Sequence, residues 1–157
     1  AILTLNVWMY ATHVLFNGVY ECQKRSLAEN PALFDIGTAG FDEFIALWIG
    51  SGQQAGASNG DALYAWAQTL GEEFGTNNPE ANANTRIKLL YQEAVQLMSN
   101  ENACTPTNTA TTGRLWQLVM NTVSEMSKPL FQGFLSAMQA KNAPLVDVYS
   151  RALVPQL

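Results

Sequence analysis

Few residues in this chain are equipped for chemistry. His13 is the one histidine among 157 residues, and Cys22 and Cys104 are the two cysteines. A single histidine excludes most His-rich metal sites. No Gly-x-Ser-x-Gly, P-loop, His-Glu-x-x-His or helix-opening Gly-x-Gly-x-x-Gly is present. The Glu-x-x-His pair of di-iron helical bundles is missing as well. Asp42 and Glu43 are adjacent, so on a helix they point in different directions. A hard cation such as Fe or Ca needs several converging oxygens. Asp35, Asp61, Glu72, Glu73 and Glu93 are the further donors available. The plain alternative for all of these is helix capping and solvated surface charge. His13, Asn17 and Glu21 recur at one-turn intervals. That spacing fits either a buried polar seam contributing to a ligand site or a histidine hydrogen-bonded within a helix interface.

The elements that must position these groups read as helices. Over residues 4–24 the polar positions Asn6, Tyr10, His13, Asn17, Glu21 and Lys24 fall three or four apart, on one face. Leu5, Met9, Leu15, Phe16 and Val19 fill the rest, so most of this helix should be buried. Residues 26–40 carry Asn30–Pro31, Gly37 and Gly40 and read as a loop. A second helix is expected over 41–50, with Asp42 and Glu43 in its first turn, where negative charge suits the dipole. Residues 51–60, SGQQAGASNG, have the composition of a mobile loop. Asp61 can cap a third helix reaching residue 74, striped by Leu63, Trp66, Ala67, Leu70 and Phe74. A fourth helix starts at Pro79 or Ala83 and ends near Ser99. A long fifth begins at Thr111 or Thr112 and carries Leu115, Trp116, Val119, Met120, Val123, Met126, Leu130, Phe134 and Met138 at helical spacing. Pro129 should bend or split it. A short last helix spans 144–153. The expected fold is all-α: an up-and-down bundle of five or six helices with a long helix kinked near Pro129. Trp8, Trp48, Trp66 and Trp116 are most simply its core anchors.

Bulk properties narrow the function classes. The length suits one domain, 1–157, and the start at Ala1 suggests a piece of a longer, processed chain. Apolar residues make up 48%, enough for a core. Net charge is −5 and the basic residues are scattered. Nucleic-acid binding, which wants a basic stripe, is therefore not expected. The first 22 residues are apolar, but Asn6, His13, Asn17 and Glu21 are costly in lipid, so no membrane span is expected. Only 13% of residues are charged, which leaves a surface rich in Asn, Gln, Ser and Thr, as on many extracellular proteins. Cys22 and Cys104 either pair or both remain thiols. The disulfide is favoured because the rest of the chain looks secreted, and one bond closing some 80 residues contributes about 4–5 kcal/mol in the chain-entropy model.

Two stretches carry a resemblance. FDIGTAGFDEFIALWIGSGQ covers 34–53, and LYAWAQTLGEEFGTNNPEANANTRIKLLYQEAVQLMSNENAC covers 63–104. They resemble the Fe-assimilating, high-CO2-inducible periplasmic proteins of algae. The matching positions are Phe41, Asp42, Glu43, Ala46, Gly50 and Ser51, with Leu47 where the family has an aromatic. Leu63, Tyr64, Ala65, Ala67, Phe74, Gly75 and Thr76 follow, and then the turn and helix from Asn82 to Cys104. The family's basic and Cys residues around the Leu-Tyr-Ala helix have no counterpart here. The resemblance implies a periplasmic, extracellular or cell-surface protein tied to iron assimilation, with Asp42 and Glu43 as the first metal ligands to test; His13, outside the resembling stretches, is the further metal ligand considered with them.

Three functions are therefore in play. The first is a secreted, non-catalytic domain that binds or handles iron. The second is a structural or interaction module of an extracellular assembly, with protein partners and no ligand chemistry. The third, an enzyme, lacks a readable nucleophile–base pair.

Overall fold

A computed structural model of the protein describes residues 2–30, 38–99, 103–105 and 109–154. Its elements are α1 (Ile2–Leu27), α2 (Thr38–Ile49), α3 (Leu63–Glu73), α4 (Asn82–Ser99), α5 (Thr109–Gln139) and α6 (Ala143–Leu153). There is no strand among the described residues, only an isolated bridge between Asn77 and Ala81. The expected all-α bundle is thus the observed one. Asp35 and residues 34–37 of the resemblance lie outside the described residues.

The two long helices α1 and α5 set the frame. The Trp8 indole donates to the Met126 carbonyl at 3.0 Å, and the Trp116 indole donates to Gln23 at 3.2 Å. As one helix ascends in number the other descends, so the pair is antiparallel. α5 continues through Pro129. The helix is therefore not split there, although proline supplies no N–H to the carbonyl four residues back, at Glu125. α2 packs on α1 at its N-terminal end through a glycine contact. A Cβ built on Gly40 would lie 2.9 Å from both the Gly18 Cα and the Val14 carbonyl oxygen.

Between these helices lies one apolar core. Trp8, Leu15, Phe41, Phe44, Trp48, Leu63, Ile87, Leu115, Met126 and Leu130 are all buried in it. Removing one such aromatic to alanine costs roughly 3–5 kcal/mol. Cys22 and Cys104 are joined by a buried disulfide, with Cα atoms 4.7 Å apart, tying α1 to the segment before α5.

Several local expectations are corrected. α2 begins at Thr38, so Asp42 and Glu43 sit beyond its first turn and do not serve its dipole. The N-cap of α3 is Ala62, with no side-chain cap, so Asp61 is not a capping residue. Met9, Met120 and Met138 were placed in the core by spacing, yet each is more than half exposed. Helical periodicity gives a face only to within about one position. Each follows a buried residue, Trp8, Val119 or Ala137, and one further helical step turns it onto the solvent side.

Candidate functional site

The adjacent acids of α2 are held apart by two tyrosines. Tyr10 of α1 donates its phenol proton to Glu43 at 2.8 Å. Tyr91 of α4 donates to Asp42 at 2.7 Å. Each phenol is made harder to ionise. The Glu43 hydrogen bond and charge raise Tyr10, and the Asp42 hydrogen bond, followed by burial, pushes Tyr91 up to about 12. α2 is thereby clamped on one side to α1 and on the other to α4.

His13 lies one turn beyond Tyr10, with ring centroids 6.4 Å apart. Like Asn17, it is exposed, so the expected buried polar seam is a solvent-facing one. Asn17, Glu21 and Glu43 line a small cavity of about 170 Å³ beside Gly18 and Gly40. Glu21 is already paired with Lys24 at 2.7 Å. No group of three or more His, Cys, Asp or Glu side chains gathers among the described residues. The structure thus brings Glu43 to Tyr10 and sends Asp42 to the other side. Of the further donors, Glu93 pairs with Arg114 and Glu72 accepts from Gln68.

A buried polar network was not legible in the sequence. Gln68 accepts from the Ala81 N–H and donates to the Pro79 carbonyl. Asn84 accepts from the Trp48 indole at 3.0 Å and donates to the Tyr64 carbonyl at 3.0 Å. The Tyr64 hydroxyl accepts from the Gly56 N–H and donates to Glu80, which Lys88 grips through both oxygens. Burial, followed by the Glu80 hydrogen bond, pushes Tyr64 up to about 12. The network ties the 51–60 loop to α3 and α4. A polar residue inside an apolar stripe, as Gln68 is, was the available signal. Nothing in spacing says which partner it finds.

The outer face of α5 carries exposed apolar side chains. Met120 and, three turns on, Phe131, Leu135 and Met138 share this face, each between 41% and 56% exposed, with the exposed Ser124 and Lys128 between Met120 and Phe131. Phe16 packs against Trp116 with centroids 6.1 Å apart and, with Met120, Val123 and Phe131, walls a groove of about 570 Å³. Ser124 and Ser127 also line it, together with Lys128. Among the described residues no helix is long and apolar enough to cross a membrane. No protein-family model, curated protein or solved structure matches the chain.

Proposed function

We propose that the protein is a non-catalytic, extracellular or cell-surface interaction module that seats an amphipathic helix of a partner in the groove between α1 and α5. The row Met120–Phe131–Leu135–Met138 carries this reading. Large apolar side chains exposed in one line are a docking surface rather than a random scatter. The row covers about 27 Å of helix at 1.5 Å per residue, the length of an 18-residue partner helix. An oxidising compartment agrees with the disulfide. The test is a photo-crosslinking residue at Leu135, with Arg86 as a distant exposed control, in the cells that make the protein. The expected result is a discrete cross-linked protein at 135 only, lost in Phe131→Glu. Equal products at both positions, or none at 135, would refute the reading.

Iron handling, implied by the resemblance, is supported by one local feature. The Tyr10 phenol, the Glu43 carboxylate and the His13 imidazole are oxygen and nitrogen donors near one another on the α1 side of α2. Asp42, turned toward Tyr91, would not share in such a site. Calorimetric titration with ferrous iron and with ferric nitrilotriacetate tests it. Saturable binding weakened by Glu43→Gln and not by Asp42→Asn is expected; binding indifferent to Glu43 sinks it.

A further inference from the structure

A second cavity, of about 470 Å³, lies where α2 ends and the 51–62 segment folds back. This is the size of a small-molecule site. Val7, Leu47 and Ile49 form its apolar wall, and Gln53, Asn59 and Asp61 contribute polar groups. No lysine or arginine lines it.

The walls are fixed by the fold. Gly50 ends α2 in a left-handed conformation, φ 75°, and donates to the Ala46 carbonyl at 2.8 Å. A Cβ at Gly50 would stand 2.6 Å from the Ala62 side chain, so the two ends of the loop are closely apposed. Gln53 donates to the carbonyls of Gln54 and Ala57, and a Cβ at Gly60 would overlap its side-chain oxygen. Tyr64 holds Gly56 from below. These contacts pre-form the cavity, which limits the ordering cost of a ligand.

The field inside has one sign. Past Ala46 the carbonyls of α2 run out of helical donors, and a helix C-terminus carries about half a negative charge. Asp61 adds a full one. Its carboxylate caps no helix and makes no hydrogen bond or ion pair with another described residue, so the fold itself makes no use of it. An anion is disfavoured here, and a purely apolar guest leaves Asp61 unmatched. We infer that this cavity binds a small organic ammonium compound, its cationic head at Asp61 and the α2 terminus and its hydrocarbon part against Val7, Leu47 and Ile49.

Three probes of similar shape test the inference: n-butylamine, n-butanol and butyrate, titrated against the ¹⁵N-labelled protein. Saturable amide shifts centred on Gly50, Gly52 and Gly60 are expected with butylamine, at least about fivefold stronger than with the other two. Asp61→Asn, a change at an exposed position, should remove that preference while leaving the rest of the spectrum in place. Equal responses to the three probes, no saturable response to butylamine, or a preference that survives Asp61→Asn would each overturn it.

Discussion

Replacing Glu80 by glutamine removes the charge at the heart of the loop-tethering network. Both Glu80 oxygens lie within 2.7 Å of the Lys88 ammonium. Their side chains retain 14% and 34% of their exposure, so the pair is screened only in part. Glutamine keeps an acceptor for Tyr64 and roughly the same shape, and loses the charge together with the second oxygen, which accepts from Thr85 and Lys88. Hydrogen bonds to charged groups contribute about 1.5–3 kcal/mol, against about 1 for neutral ones. With the screening allowed for, the loss at pH 7 should be about 1–2 kcal/mol, or roughly 2–8 °C in Tm for a domain of this size. The pH dependence gives the sharper test. Burial works to raise the Glu80 carboxyl, but hydrogen bonds from Lys88, Tyr64 and Thr85 and the Lys88 charge outweigh it and hold it below its ordinary 4.5. A carboxyl whose folded pKa is depressed contributes stability above its unfolded pKa and loses it as pH falls through the folded one. The gap between the native protein and Glu80→Gln should therefore be full at pH 7, narrow below about pH 4.5 and close once Glu80 is protonated in the folded state. Urea unfolding followed by tryptophan fluorescence from pH 7 to pH 3 measures it. A gap that is absent at pH 7, or that stays constant or widens on acidification, would refute the assignment.

Other perturbations read other parts of the fold. Intact mass without reduction should be about 2 Da below the reduced value, and Cys22→Ala/Cys104→Ala should lose about 4.5 kcal/mol for an 82-residue separation. Asn84→Ala strands the Trp48 indole and the Tyr64 carbonyl in the core and should cost about 2–4 kcal/mol by urea titration. Gly40→Ala forces a methyl against the backbone of α1 and should cost about 1–3 kcal/mol, whereas Gly113→Ala, which meets nothing within 4 Å, should be neutral or slightly stabilising. Tyr10→Phe releases Glu43 from its clamp. A structural role for Glu43 predicts that Tyr10→Phe and Glu43→Ala shift matched denaturant curves the same way, and that the double variant loses no more than the larger single change.

The helices were legible because their apolar residues recur at one-turn spacing over long windows. α1 and α5 show it most plainly, and Trp8, Leu15, Leu115, Val119 and Met126 are buried as that spacing demands. What failed were features fixed by partners distant in sequence. Nothing local to Asp42 and Glu43 announces that a tyrosine 33 residues before Glu43 and another 49 residues after Asp42 will take one carboxylate each. Adjacency alone correctly implied divergence; it was silent on where the two would go. Asp61 looked like a cap because it precedes an apolar run, but the N-cap falls one residue later, at Ala62. The pairing of Cys22 with Cys104 was left open by counting and closed by geometry.

The polar groups most readily taken for chemistry are largely consumed by the fold. Asp42 and Glu43 hold α2 between its neighbours, Glu80 anchors the 51–60 loop, and Gln68 and Asn84 satisfy buried backbone and indole groups. A carboxylate already serving as an acceptor must give up that bond before it can take a metal, so each such use weakens the case for it as a ligand. The argument runs the other way for groups whose exposure or charge serves no contact. The apolar row on α5 gains nothing by facing water, and Asp61 gains nothing by facing a cavity at a helix C-terminus. Among the described residues it is these two places, rather than the adjacent acids that first draw the eye, where a partner or ligand would meet side chains that it need not first pull away from another contact.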